Sequence, residues 1–277
     1  MNDVSRAVRR GPGGLVLRAV VVIYVGLLVV LPLAALVFKG AGVGLTGIVH
    51  SLMAPTARSA LWLTLWTAAV MSVINALMGT FTAWLLVRHT FWGRRFLSSL
   101  VDLPMAIPTL VAGMMIVVLF GPQSRLGGLF AAHGFDIVFA TPGIVLALLF
   151  INLPMVVRAV EPVLRELDPA EEEAARTLGA GDVRIFFQIL LPPLWPAIAT
   201  GTLQSFARAL AEFGSMVVVS GNIPLRTLTI PVYIFGEVES GAPETAAAVS
   251  LVLLFLAAAL LLAVRGLQHF LAAHRRI

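Results

Sequence analysis

The chain contains no cysteine among its 277 residues, which excludes disulfide bonds, thiolate metal ligands and cysteine nucleophiles. Charged residues are also scarce, at 12% of the chain, where an average soluble domain has about 25%. Lysine occurs once, at Lys39, and a glycine follows it. Because a GxxxxGK[ST] phosphate loop needs lysine followed by Ser or Thr, ATP cannot bind to this chain through such a loop.

The spacing of the histidines does not predict a metal site either. The five histidines lie between apolar runs or at their ends, and no two of them have the spacing of metal ligands. We therefore expect no catalytic residue, no metal and no cofactor in this chain. The net charge of +5 does not indicate binding of nucleic acid, because the cationic residues collect in the loops of one predicted membrane face.

Hydrophobic residues are abundant, at 59% of the chain, and they form runs long enough to cross a bilayer core, which takes about 20 helical residues. The sequence predicts an all-α integral membrane protein with six transmembrane helices. One membrane domain over 19–267 follows an N-terminal segment, 1–18, and precedes a C-terminal tail, 268–277. The predicted spans are Ala19–Phe38, Ser59–Val87, Leu97–Phe120, Pro142–Val157, Leu191–Ser220 and Ala246–Leu267.

The distribution of arginine and lysine predicts the orientation of these spans. Cytoplasmic loops are enriched in cationic residues. With both termini in the cytoplasm, the outer side holds only Lys39, Arg58, Arg125 and Arg226, and Arg208 lies within a span. The cytoplasmic side then holds 14 of the 19 cationic residues, which are Arg6, Arg9, Arg10, Arg18, Arg88, Arg94, Arg95, Arg158, Arg165, Arg176, Arg184, Arg265, Arg275 and Arg276.

The one long loop on the predicted cytoplasmic side, about 158–188, has the signals of a short capped helix. Asp168 is placed to cap a helix that begins at Pro169, and Glu171 completes a capping-box pattern. Gly179 is placed to end this helix, because glycine readily adopts the left-handed conformation. Asp182 is then placed to cap a second helix. The loop is therefore predicted to present a rigid helix, a turn and another helix on one membrane face.

The same loop resembles the EAA loop of binding-protein-dependent ABC importer permeases. The matching positions are Glu173, Ala174, Ala175, Gly179, Ile189, Leu191 and Pro192. The resemblance implies a type I ABC importer permease-like fold, in which this loop forms a coupling helix that docks on an ATPase subunit. Glu173, Ala174, Ala175, Leu178 and Gly179 would form the docking surface and its turn, with Leu191 and Pro192 at the start of the next span.

Three further segments are similar to sulfate/thiosulfate permeases of the T type: 101–113, 153–167 and 206–227. Molybdate and tungstate permeases share the EFG…GNIP segment, but their third span usually carries a prolyl-prolyl step where this chain has Ala106, Ile107 and Pro108. Ala211 departs from the glycine more common before Glu212. The resemblance implies import of sulfate or thiosulfate, with molybdate or tungstate as the alternative.

The resemblance also implies the partners and the location. Two copies of an ATPase subunit would bind ATP, a second and non-identical permease would complete the membrane part, and an extracytoplasmic sulfate-binding protein would deliver the substrate. The location would be the bacterial cytoplasmic (inner) membrane. The chain itself would then be a permease subunit and not an enzyme.

Four residues inside the predicted spans are candidates for the translocation pathway or gate. Arg208 is a charge inside an apolar run, and Glu212 is placed one helical turn further on the same face. The pair would provide positive potential for an oxyanion, or would lock the fifth span to a neighbour as a structural ion pair. Pro104 and Pro108 interrupt helix hydrogen bonds in the third span and would permit a kink.

Two other classes of function account for fewer of these features. A passive anion channel would explain six spans and a charge within the membrane, but it would not need a capped docking helix with EAA spacing. A membrane enzyme would need clustered acid–base groups or metal ligands, and Arg208 with Glu212 does not make a catalytic set.

Overall fold

The computed structural model describes the backbone from Pro12 to His274, and side chains over 15–263 and at 265 and 266. Most of the predicted N-terminal segment and the last three residues of the predicted C-terminal tail therefore fall outside the described backbone, and residues 268–274 of the tail continue the last helix. Five of the arginines used to predict orientation also fall outside it, which are Arg6, Arg9, Arg10, Arg275 and Arg276.

Within the described part of the chain the protein is helical, with fourteen α-helices and two π-helical segments. In chain order these are α1 (Pro12–Val25), a π segment (Gly26–Val30), α2 (Leu31–Gly42), α3 (Gly44–Met53), α4 (Pro55–Arg88), α5 (Arg94–Ala106), α6 (Thr109–Phe120), α7 (Arg125–Ala132), α8 (Thr141–Glu166), α9 (Pro169–Thr177), α10 (Asp182–Ile185), a second π segment (Phe186–Leu190), α11 (Leu191–Leu210), α12 (Gly214–Val219), α13 (Ile230–Glu239) and α14 (Pro243–His274).

Five continuous helical stretches in the described residues are long and apolar enough to cross a membrane: Leu15–Gly42, Pro55–Arg88, Thr141–Glu166, Asp182–Leu210 and Pro243–Ala263. They include most or all of five of the predicted spans. The fourth prediction ended too early, because the helix continues past Val157 to Glu166. Arg158 therefore lies within a helix and not in a loop. Its charge is compatible with this position because the guanidinium pairs with the carboxylates of Asp102 and Glu161.

The third predicted span, Leu97–Phe120, is not one straight helix. It consists of α5 and α6, which are bent by 112° at Ile107 and Pro108. Pro108 has no N–H to continue the helix and disfavours helical geometry in the residue before it. With 12 residues at ~1.5 Å each, α6 is about 18 Å long. When α6 follows the membrane normal, the bend of 112° places α5 near the membrane plane.

The fifth predicted span, Leu191–Ser220, was wrong at both ends. The helix begins earlier, at Asp182, and ends at Leu210. Two tight turns with i→i−3 hydrogen bonds end this helix. The N–H of Ala211 donates to the carbonyl of Arg208, and the N–H of Glu212 donates to the carbonyl of Ala209. A separate short helix, α12, begins at Gly214. The described residues therefore contain two helices that are interrupted within predicted spans, α5–α6 and α11–α12.

Both π-helical segments lie immediately before prolines. Leu31 donates to the carbonyl of Gly26 just before Pro32, and Leu191 donates to that of Phe186 just before Pro192. Because proline has no N–H to donate, a widened turn beside it shifts the hydrogen-bond pattern without ending the helix. This explains how the stretch 182–210 remains continuous although prolines occur at 192, 193 and 196.

Small residues allow the central helices to pack closely. A Cβ atom on Gly79 would lie 2.8 Å from the Cβ of Val156, and one on Gly201 would lie 2.9 Å from the Cα of the same valine. Close backbone approach through small residues is the usual way that helices associate within a membrane. α4, α8 and α11 therefore form the centre of the bundle, and α14 and the first span pack at its edge.

Candidate functional site

The predicted docking helix is present as α9, with the predicted signals at its two ends. The Asp168 carboxylate accepts from the N–H of Ala170 at 3.0 Å. Gly179 has a positive φ of 84°, and its N–H donates to Arg176. Glu171 makes no reciprocal bond to Asp168 in the described structure, so only half of the capping box forms.

The second helix of the loop differs slightly from its prediction. Gly181 occupies the cap position, and Asp182 is the first helical residue. The Asp182 carboxylate instead accepts from Arg176 at 3.3 Å, across the turn. The turn between the two helices is thus closed by a charged pair in place of a cap.

The loop presents a surface that this chain does not cover. Glu173 and Ala174 are exposed, Ala175 is half-buried, and Leu178 is 88% exposed. Three large apolar side chains are exposed near the turn: Leu178, Val183 and Phe187. At the start of the following span, Leu191 is half-buried and Pro192 is exposed.

A buried ion pair that the sequence reasoning missed fixes α9 to the membrane bundle. The Glu172 carboxylate accepts from Nε of Arg88 at 2.7 Å, and both side chains are largely buried. Arg88 is the last residue of α4 and also donates to the carbonyl of Leu167 at 3.0 Å. α9 is therefore connected directly to the second span.

A second charged network, also missed, joins α5 to α8 near the same face. Arg158 donates to Asp102 at 2.7 Å and 2.5 Å, and to the carbonyl and hydroxyl oxygens of Ser98 at 3.0 Å. Glu161 accepts from both Arg158 and Arg165. The sequence signal was present, because Arg158, Glu161 and Arg165 have helical spacing. The prediction of a loop from Arg158 onward concealed it.

The two interrupted helices meet each other. A Cβ on Gly214 would lie 2.3 Å from Oγ1 of Thr109, the residue that begins α6 after Pro108. The buried Glu212 lies in the break of α11–α12, where its carboxylate accepts from the N–H and hydroxyl of Ser215 at 3.2 Å and 3.0 Å. The residues that follow Glu212 and Pro108 therefore pack against each other, and Glu212 and Pro108 lie beside one junction. Pro104 lies one turn before the break, buried within α5.

Arg208 and Glu212 do not form the predicted pair. Because α11 ends at Leu210, Glu212 turns into the junction and bonds to Ser215, and no ion pair in the described structure involves Arg208. Arg208 is exposed on α11, one turn beyond the exposed Gln204. This polar stripe points away from the core of the chain.

A comparison with known families decides which group of proteins shares this arrangement. A family model described as "Binding-protein-dependent transport system inner membrane component" matches residues 75–277, which include α9, the junction and the polar stripe. The chain belongs to this family. The permease is accordingly a multi-pass membrane protein of an inner-membrane transport family.

Curated relatives cover nearly the whole permease. The sulfate transport system permease protein CysT of Synechocystis sp. is 40% identical over 251 residues, which are 91% of this chain and 88% of the relative. The sulfate transport system permease protein CysW of the same organism is 37% identical over 259 residues, 94% of each chain. The permease thus resembles both members of this named pair.

Solved structures share the fold of the permease at low sequence identity. A chain of a bacterial alginate ABC transporter, solved in complex with an alginate pentasaccharide-bound periplasmic protein, has a TM-score of 0.77. Its sequence is 16% identical, with coverage of 94% of both chains. The predicted all-α fold of type I ABC importer permeases is therefore confirmed. The assignments of individual residues to coupling or to the pathway stay predictions.

Proposed function

We propose that this permease is the membrane subunit of an ATP-driven importer of sulfate or thiosulfate. The observation that carries the proposal is the exposed α9 surface with EAA spacing, in a chain similar to sulfate transport permeases over about nine-tenths of its length. Molybdate or tungstate is the alternative cargo. Hydrolysis of ATP belongs to a separate subunit, since the only lysine of this chain cannot complete a phosphate loop.

The α9 surface is the site at which the ATPase acts on the permease. Glu173, Ala174 and Leu178 contact the partner, and the turn at Gly179 keeps the two helices of the loop at a fixed angle. Movement of α9 reaches the second span through the pair of Glu172 with Arg88, at 2.7 Å. Pro192 lies where the loop joins α11, so the same movement reaches the polar stripe.

The polar stripe of α11 lines the pathway together with a second permease subunit. A central arginine in lipid costs roughly 2.5–3.5 kcal/mol on insertion scales, so an exposed Arg208 is more stable beside water and another protein chain. Irregular backbone at membrane depth is tolerated only when it is buried in protein or lines a water-filled cavity. The junction of Pro108 with Glu212 meets that condition and forms the gate.

The assembly consists of this permease, a second and non-identical permease, two ATPase copies and an extracytoplasmic sulfate-binding protein. The resemblance to both CysT and CysW supports a pair of different permeases. The location is the bacterial cytoplasmic membrane with both termini inside, because α9 and the basic cluster Arg88, Arg94 and Arg95 then share the cytoplasmic face.

Uptake into proteoliposomes tests the proposal. We expect vesicles that hold the permease pair and its ATPase to accumulate labelled sulfate only when ATP and the binding protein are present. If the binding protein preferred labelled molybdate to sulfate, the assigned substrate would be wrong, and the assignment as an importer subunit would stand. Sulfate flux through the isolated chain without ATP would instead show an anion channel and contradict the proposal.

A further inference from the structure

A basic cavity lies at the α9 end of the molecule, and none of its lining residues has been assigned to coupling or to the pathway. Its volume is about 340 Å³, and its lining consists of Leu86, Arg94, Arg95, Ser98, Glu161 and Arg165. The cavity sits where the end of α4 and the end of α8 meet the start of α5.

The charges of this cavity do not balance. Glu161 is shared by Arg158 and Arg165, and Asp102 accepts from Arg158, so these four groups neutralise one another. Neither guanidinium of Arg94 or Arg95 has an ion-pair partner among the described residues. Two positive charges therefore remain in the cavity, and an anion would complete it.

The cavity opens beside an apolar surface. An adjoining space of about 710 Å³ is lined by residues 90–96, with the aromatic rings of Phe91, Trp92 and Phe96. Trp92 is fully exposed, and Phe96 is 74% exposed. Phe96, Leu100 and Leu103 have helical spacing on α5 and are all exposed. Their opposite face, which includes Val101, packs on the bundle.

The position of α5 places these features at the surface of the bilayer. When α6 follows the membrane normal, the 112° bend lays α5 near the membrane plane, and an amphipathic helix in that position buries its apolar face among the headgroups and upper acyl chains. Trp and Phe beside basic residues are typical of such a helix. The ligand must then carry an anionic group and an apolar chain in the same molecule.

We propose that Arg94 and Arg95 bind the phosphate of an anionic phospholipid from the leaflet on the α9 side. Both guanidinium groups bind the phosphodiester, and the acyl chains lie along Phe96, Leu100 and Leu103. Basic pockets between membrane helices on this side are suited to lipid headgroups. Inorganic phosphate has the same anionic chemistry, but it would make no use of the apolar stripe. The bound lipid would hold α5, and through Arg158 also α8, at the membrane surface.

Native mass spectrometry of the full chain tests this site. The permease is purified in detergent, incubated with equal amounts of phosphatidylglycerol and phosphatidylcholine, and scored for retained lipid. We expect phosphatidylglycerol to be retained preferentially by the natural chain. The double variant Arg94→Gln/Arg95→Gln should retain about tenfold less phosphatidylglycerol than the natural chain, or even less. Each arginine beside an anionic lipid surface raises the affinity about fivefold.

The control is Arg125→Gln/Arg226→Gln, which removes the same charge from the other predicted membrane face. We expect it to keep the bound phosphatidylglycerol, and the melting temperatures of both double variants to match that of the natural chain. Equal loss in both variants, or equal retention of the two lipids, would overturn the site. Complete displacement of the lipid by excess inorganic phosphate would overturn the lipid assignment in favour of a free anion.

Discussion

At the scale of single residues, α9 shows how burial gives different roles to neighbouring residues of the same type. Glu171, Glu172 and Glu173 follow one another in α9, but successive helical residues point about 100° apart. Glu172 therefore turns inward to Arg88, while Glu171 and Glu173 stay exposed. The inner carboxylate anchors the helix, and the outer carboxylate at 173 belongs to the proposed contact with the ATPase.

Exchange of these glutamates one at a time separates the two roles. Glu172→Gln leaves Arg88 without its partner in a largely buried site, where loss of one member of an ion pair costs about 3–5 kcal/mol. We expect it to lower both the melting temperature and ATP-dependent uptake in proteoliposomes. Glu173→Arg should reduce ATPase binding and uptake and leave the melting temperature unchanged.

Glu171→Gln is the matched control for Glu172→Gln, and Glu171→Arg is the matched control for Glu173→Arg, because the exposed Glu171 side chain makes no hydrogen bond in the described structure. Both controls should resemble the natural chain in melting temperature and uptake. If Glu173→Arg retained full ATPase binding and uptake, α9 would not be the coupling element.

At the scale of elements, the interruptions of two helices determine the shape of the proposed gate. α6 and α12 pack so closely that a Cβ on Gly113 would lie 2.9 Å from Cα of Ser215 and 3.0 Å from its carbonyl oxygen. The obstacle is backbone, which cannot rotate away as a long side chain can. Any added atom therefore separates the two short helices on which the junction depends.

Gly113→Ala tests this contact. Overpacking in a tight core typically costs about 1–3 kcal/mol, so we expect a lower melting temperature and a large loss of sulfate uptake. Gly236→Ala is the matched control, since Gly236 lies within α13 and a Cβ there meets nothing within 4 Å. Equal behaviour of the two variants would show that close packing of α6 on α12 is not required.

At the scale of the whole molecule, the single chain exposes two kinds of surface within its membrane-spanning helices. In the first span, no residue from Val20 to Phe38 is buried and none of them is charged. α11 exposes Gln204 and Arg208 instead. Lipid suits the first surface, and a second permease with a water-filled pathway suits the second.

The absence of cysteine makes this difference measurable, because any introduced cysteine is the only thiol in the chain. Maleimide reacts with the thiolate, which forms in water and not in lipid. We expect Gln204→Cys in the assembled transporter to react with a water-soluble maleimide, and Val22→Cys in the first span to remain unlabelled. Both variants should react after solubilisation and denaturation. Protection of position 204 equal to that of position 22 would show that this face of α11 does not meet water and would remove it from the pathway.

The sequence by itself determined the features that depend on local chemistry. Apolar runs fixed five spans because the bilayer admits few charged residues, and Asp168 and Gly179 fixed the ends of α9 because caps act within one turn. The tertiary structure alone decided what depends on distant backbone. It set the 112° angle of the bend that Pro108 permits, ended α11 before Glu212 and turned Glu172 toward Arg88. Those outcomes arise from packing between segments far apart in the chain, which no local pattern records.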